Sequence, residues 1–219
     1  MNVVILGGSG HGKVVIDIVE QSGQFHVLGI LDAKIPCGQQ VLGYPVIGNE
    51  NDLAAIIRTQ HVEGLFLAVG DNWLRWKISQ SLKTLAPAIQ FPTAVHPSAQ
   101  LARTVRLGPG TVVMAGCVVN SDTTVGDFCI LNTLCSVDHD CSLGNYVSFA
   151  PHACAGGNVE VDDYTAVCLG ANIIHGVKIG AHAVVGAGAT VLSDLPSQVV
   201  AYGTPARAVR RRAIGEGYM

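Results

Sequence analysis

Long apolar runs are missing from this chain: no stretch approaches the ~20 residues that a membrane-spanning helix needs. Aromatic residues are scarce, with two Trp and five Phe among 219 residues, so the core has to be built from aliphatic side chains. An excess of basic charge is missing as well. Thirteen Lys and Arg against sixteen Asp and Glu give a net charge of −3, which argues against a nucleic-acid footprint. The opening segment carries no basic stretch and breaks at Gly7, so it reads as a strand and not as a signal peptide. Seven cysteines without a secretory signal imply reduced thiols and a cytoplasmic location.

What the chain does have is glycine, 26 in all, and two halves with different patterning. Residues 1–90 alternate strand and helix signals. "NVVILG", "HVLGILD" and "VEGLFLAVGD" read as strands. "GKVVIDIVEQSG", closed by Gly23, "NDLAAIIRT", capped by Asn51 or Asp52, and "NWLRWKISQSLKTLA" read as helices. This alternation predicts a small parallel α/β sheet of Rossmann-like type. The proline-bearing "FPTAVHPSAQ" marks the boundary to a second domain over 91–219.

That second half repeats every six residues. From Val95 to Val191, seventeen positions in unbroken register are apolar. Glycine recurs one place later, at Gly108, Gly126, Gly144, Gly180 and Gly186, and a small or β-branched residue recurs four places later. Four of the seven cysteines, Cys117, Cys129, Cys135 and Cys141, fall in this last column and read as small buried hydrophobes, not metal ligands. One large apolar residue, one small one and a glycine-rich corner make one face of a triangular solenoid. Three such units form an eighteen-residue coil, stacked on the next at about 4.8 Å.

The coil turns sequence spacing into geometry. His139, Gly157 and His175 fall eighteen residues apart, in one column, with the two histidines roughly 10 Å from each other. An exposed imidazole beside a bare backbone amide suits acyl transfer: the ring takes a proton and the amide meets developing charge. Asp138 and Asp140 flank His139, and either could orient the ring. His152 and His182, one place further along their hexads, read as solvated corner residues.

"GGSGHGKVV", "LNTLCSVDHDCSLG" and "YGTPARAVRR" together resemble the bacterial sugar acetyltransferases of the left-handed β-helix, hexapeptide-repeat type. These include PglD-like enzymes that N-acetylate nucleotide-linked 4-amino sugars and NeuD-like sialic acid O-acetyltransferases. The resemblance implies a left-handed parallel β-helix, which the usual right-handed crossover rule does not. It also implies a homotrimer with interfacial active sites, acetyl-CoA as cosubstrate and no metal. His139 matches the general base, Asp140 its acidic support and Gly157 the amide that faces the acetyl carbonyl. CoA is implied to lie near Gly157, His175, Ala187, Gly203, Pro205 and Arg207. Two departures stand out. Some relatives carry a second histidine where this chain has Ser148, and some carry Glu where it has Asp140.

"GGSGHGK" nearly matches two phosphate loops. Gly7, Gly12 and Lys13 fit a Walker A loop, but Val14 stands where a hydroxyl should reach magnesium. Gly8 and Gly10 fit a dinucleotide fingerprint, but Lys13 replaces its third glycine. The common physics survives: a glycine-rich turn before a helix offers bare amides to a diphosphate. The resemblance implies that Gly8, Ser9, Gly10, His11, Asp32, Gly70, Asp71 and Asn72 hold the nucleotide of a UDP-, GDP- or dTDP-linked amino sugar. UDP-binding relatives can carry two acids after the second strand. Here Ala33 follows Asp32, which points away from uridine. The expected activity is therefore N-acetylation of a nucleotide-linked amino sugar for surface glycans, a 4-amino-4,6-dideoxy sugar in the first instance. The alternatives are a sugar or sialic acid O-acetyltransferase and a non-catalytic nucleotide-binding scaffold.

Overall fold

A computed structural model describes residues 1–218. β1 (Asn2–Leu6) leads through α1 (Gly10–Ser22) to β2 (His26–Leu31). A hairpin of β3 (Gln40–Val41) and β4 (Tyr44–Gly48) follows, then α2 (Leu53–Gln60), β5 (Gly64–Leu67) and α3 (Asn72–Leu85). The sheet order is β3-β4-β2-β1-β5, parallel except between β3 and β4. That hairpin was not expected from the sequence. Its turn residues, Leu42 and Gly43, both have positive φ (48° and 84°), and leucine in a slot that favours asparagine hides the signal. At the entry to α2, Asp52 stands at the N-cap as expected, but its side chain does not cap that helix. Asn49 and Asp52 cap each other reciprocally around a short 3-10 turn, so the helix proper begins at Leu53.

The second half is a left-handed β-helix of seventeen two-residue strands, from Ala94–Val95 to Thr190–Val191. Each strand ends on one of the seventeen apolar hexad positions, and pairing runs at a separation of eighteen: Ser136–Val137 lies between Val118–Val119 and Cys154–Ala155. Three faces result. The first carries strands such as Ser136–Val137, the second Ser142–Leu143 and the third Ser148–Phe149. From Gly110 to Gly188, every residue three places after an apolar position has φ between 52° and 72°. That left-handed corner suits Gly, Asn and Asp, and it is where the coil turns between faces. The four cysteines of the small-residue column are buried as expected.

Four bulky residues occupy such corners in one line between the second and third faces. Phe128, Tyr146, Tyr164 and His182 stack in succession, with centroids 5.3, 5.3 and 4.6 Å apart, and Phe91 closes the lower end edge-on. Stacking of this kind offsets the strain of placing large side chains at positive φ. His182 is therefore a packed rung, not a solvated corner.

Helix α3 lies along this ladder and fastens the two halves together. Arg75, 1% exposed, donates from Nε to the Phe128 carbonyl (2.8 Å) and from Nη1 to the Val69 and Gly70 carbonyls (2.8 Å each). Its Nη2 reaches Asn72 Oδ1 (2.8 Å), the Tyr146 carbonyl (3.2 Å) and Ser148 Oγ (3.2 Å). Burial lowers the guanidinium pKa, and among the described residues no carboxylate touches it. Removing the side chain leaves several buried acceptors empty, each worth about 1–3 kcal/mol. We expect Arg75→Met to destabilise the fold by at least ~3 kcal/mol, and Arg75→Lys to recover little because an ammonium lacks the planar fork. Urea unfolding checks this, and a parent-like midpoint in either variant contradicts it.

Candidate active site

His139 sits on the turn between the first and second faces, just after Ser136–Val137. Two aspartates fix it in different ways. Asp138 Oδ1 accepts the His139 amide N–H (2.8 Å) and Asn120 Nδ2 from the coil below (2.7 Å), which pins the backbone. Asp140 occupies the left-handed corner at φ 56°, a conformation aspartate tolerates, and places Oδ2 2.7 Å from His139 Nδ1. Nε2 is left free. The hydrogen bond to Asp140, followed by the charge of Asp138, raises the His139 pKa above its ordinary value. The ring is half exposed.

Gly157 stands beside that ring. A Cβ there would come within 2.6 Å of His139 Cε1 and 2.7 Å of Nε2, so any side chain would displace the imidazole. Among the described residues no group accepts the Gly157 N–H, while its carbonyl accepts from Gly176 (2.9 Å). His175 follows in the next coil, exposed. The column deduced from eighteen-residue spacing is thus formed as a free imidazole nitrogen next to an uncovered backbone donor.

A cleft of about 520 Å³ opens elsewhere, between the loops after β1 and β5 and the third face of the β-helix. Ser9, His11 and Gly70 line one side, Asn132 and Ser148 the other, and Tyr218 the end. His11 Nε2 is buried there with no hydrogen-bond partner among the described residues. Burial, and then the charge of Arg75, lower the His11 pKa to about 4, so the ring is neutral.

The other residues expected at the nucleotide site build its frame. Gly8 is buried and donates its N–H to Asp32 Oδ2 (2.7 Å), while Asp32 Oδ1 accepts the amides of Lys34 (2.8 Å) and Ile35 (3.0 Å). Partial burial works against the Asp32 charge, but these three backbone bonds outweigh it and hold the carboxyl below its usual range. Both Asp32 oxygens thus accept from the loop's amides, Oδ2 from one and Oδ1 from two. Gly10 is exposed at the start of α1. Gly12 packs against the Gly7 carbonyl, taking the close-approach role of the missing third glycine. Asp71 caps α3 through Leu74 N–H (2.8 Å). Asn72, 1% exposed, donates to the Tyr164 and Thr165 carbonyls and accepts from Arg75 and Ser148, which consumes its amide.

At the far end of the solenoid, strands Val199–Gly203 and Ala206–Arg211 pair as an antiparallel hairpin. Gly203 and Pro205 form its exposed turn, Ala187 is exposed on the last coil and Arg207 folds onto the Ala206 carbonyl (2.9 Å). Arg210 pairs with Glu216 (2.7 Å), and Arg212 is buried against the His182 carbonyl (2.9 Å). Arg75, Ser148 at the cleft floor and Tyr218 carry weight that sequence reasoning missed. The signal that could have pointed to this region is the eighteen-residue spacing of Phe128, Tyr146, Tyr164 and His182, which was not read as a ladder. Among the described residues no cluster of three or more His, Cys, Asp or Glu could hold a metal, and no helix is long and apolar enough to cross a membrane.

Residues 2–82 match the family described as the PglD N-terminal domain. The GDP-perosamine N-acetyltransferase of Escherichia coli O157:H7 is 28% identical over 218 residues, which cover 94% of this chain and 96% of that protein. PerB from Caulobacter crescentus, solved in complex with CoA and GDP-perosamine, is 41% identical with a TM-score of 0.89 over 96% of this chain and 98% of its own. The acetyltransferase domain of PglB from Neisseria gonorrhoeae, solved with acetyl coenzyme A, is 29% identical with a TM-score of 0.86 over 95% and 98%. A left-handed β-helix with an imidazole over a bare glycine, joined to a glycine-looped α/β sheet, is therefore an acetyl-CoA-dependent acyltransferase, and the chain belongs to the PglD-like family of bacterial sugar acetyltransferases.

Proposed function

We propose that this protein transfers the acetyl group of acetyl-CoA to the amino group of a GDP-linked amino sugar, GDP-perosamine or a close analogue. The arrangement of His139, Asp140 and Gly157 carries the reading. The GDP preference is supported by the PerB and Escherichia coli relatives and by the absence of a second acid after Asp32. The sugar amine attacks the thioester carbon, a C–N bond forms and the carbonyl electrons move onto oxygen. Gly157 N–H donates to that oxygen, and His139 Nε2 takes the proton from nitrogen. Collapse then breaks the C–S bond and releases the CoA thiol, which regains a proton. Asp140 holds the ring on Nδ1 so that Nε2 is the basic nitrogen.

Within one chain the chemistry is split. His139 stands on the edge between the first and second faces, whereas the cleft lies on the third face and its edge with the first. Exposed Leu134, Leu169, Ile174 and Leu192 flank the first face. We place a threefold interface there, which brings His139 of one subunit to the cleft of the next. Free thiols and the cosubstrate fit a cytoplasmic enzyme.

Three outcomes are expected. With acetyl-CoA and GDP-perosamine, Ellman detection of released thiol should report turnover, and His139→Ala should lower kcat by about 10²–10⁴-fold. Retained turnover in that variant would falsify the assignment. Because carboxylates raise the His139 pKa and the base must be unprotonated, the acid limb of kcat/KM should lie above the ordinary histidine value. Asp140→Asn should move that limb to lower pH, and a pH profile with an unmoved limb counts against the pairing. Gly157→Ala should abolish most activity with little change in melting temperature, since its φ is unremarkable but its Cβ strikes the imidazole. Parent-like kcat there would remove Gly157 from the site.

A further inference from the structure

The segment after the closing hairpin has no hexad register, yet it is tied down at several points. Buried Arg212 donates from Nη1 to the His182 carbonyl (2.9 Å) and from Nη2 to the Glu216 carbonyl. The Glu216 carboxylate accepts the Ala213 amide (2.9 Å) and pairs with Arg210 (2.7 Å). Gly215, at φ 77°, lies so close to the Trp73 indole that a Cβ would come within 2.5 Å of Nε1. These contacts deliver Tyr218 to the start of α3, where its hydroxyl lies 3.0 Å from Asn72 Oδ1 and 3.2 Å from the Gly70 carbonyl oxygen.

We propose that Tyr218 is a positioning residue for the nucleotide sugar: its ring walls the cleft beside the Gly70–Asn72 turn, to which its hydroxyl adds a secondary tether. The proposal rests on the acetyltransferase reading above. Three observations converge on it. Tyr218 lines the same cleft as Ser9, His11 and Gly70, so its ring is not simply interior packing. Beside that cleft His11 Nε2 is buried with no partner among the described residues, a polar atom that a bound ligand would satisfy. Gly70 accepts from both Tyr218 and the buried Arg75, so the strap and the interdomain fastening act on one carbonyl. A tyrosine ring is flat, loses little freedom on ordering and offers an apolar face to a sugar while its hydroxyl stays bonded.

The test is steady-state kinetics with acetyl-CoA and GDP-perosamine on the parent and on Tyr218→Phe, Tyr218→Leu and Tyr218→Ala. The KM for the nucleotide sugar should rise about tenfold in the Leu and Ala variants, equivalent to ~1.4 kcal/mol, and less than about threefold in Tyr218→Phe. The KM for acetyl-CoA and kcat should stay within about twofold throughout. A merely structural role lowers melting temperature or active fraction and leaves the nucleotide-sugar KM at the parent value in Tyr218→Leu. That result overturns the proposal, and the Leu variant, which keeps apolar bulk, decides the matter if the Ala variant does not fold. A parent protein that turns over no nucleotide sugar sinks the acetyltransferase reading instead. Calorimetric titration of the same proteins with GDP then decides on Tyr218, and parent-like affinity in Tyr218→Leu, or no binding by the parent, overturns it.

Discussion

The buried guanidinium of Arg75, with Asn72 beside it, fastens the two halves of this protein in register. Among the described residues Arg75 meets no carboxylate, and carbonyl dipoles from both halves surround its charge: Val69 and Gly70 on the sheet side, Phe128 and Tyr146 on the β-helix side. The fork geometry makes these bonds interdependent, since a shift of α3 along the aromatic ladder would misalign all of them together. The cleft exists because of that registration. Its one wall is loop and its other is solenoid, and Gly70, Asn72 and Ser148 belong both to the arginine's shell and to the cleft or its turn.

The β-helix contributes a different kind of order. Eighteen residues of sequence become one strand spacing, so chemistry is placed by arithmetic. The corner three places after each apolar residue is left-handed throughout, and what stands there decides its use. Phe128, Tyr146 and Tyr164 convert three corners into a packing surface for α3. Asp140 converts another into a carboxylate aimed at His139. Aspartate is suited to that corner in a way that a longer acid is not, because its short side chain tolerates positive φ.

This periodicity explains what was legible in the sequence. Every strand of the β-helix ends where the hexad pattern put it, and the pairing of His139 with Gly157 follows from the number eighteen alone. The frame of the cleft was illegible for the opposite reason. Arg75 meets Phe128 and Tyr146 across 53 and 71 residues with no repeat linking them, and inside a helical pattern it reads as an ordinary exposed charge. Asp32 ends its strand where the sequence puts an acid, but the three backbone amides it gathers from the loop could not be read from the pattern. Tyr218 lies outside every pattern and gains its meaning only where the chain doubles back.

The glycine-rich opening loop resolves on the same terms. Gly7, Gly8 and Gly12 are there for geometry: a positive φ of 111°, a buried turn and a helix seated against a carbonyl. His11 is the loop's side chain within reach of the cleft that has a nitrogen to spare. The environments of His11 and His139 drive them in opposite directions. Burial beside Arg75 strips His11 of its charge and leaves it a neutral hydrogen-bonding group. Two aspartates on an exposed corner make His139 a stronger base. One imidazole is thereby left neutral and the other made the stronger base, a difference set by surroundings and not by residue type.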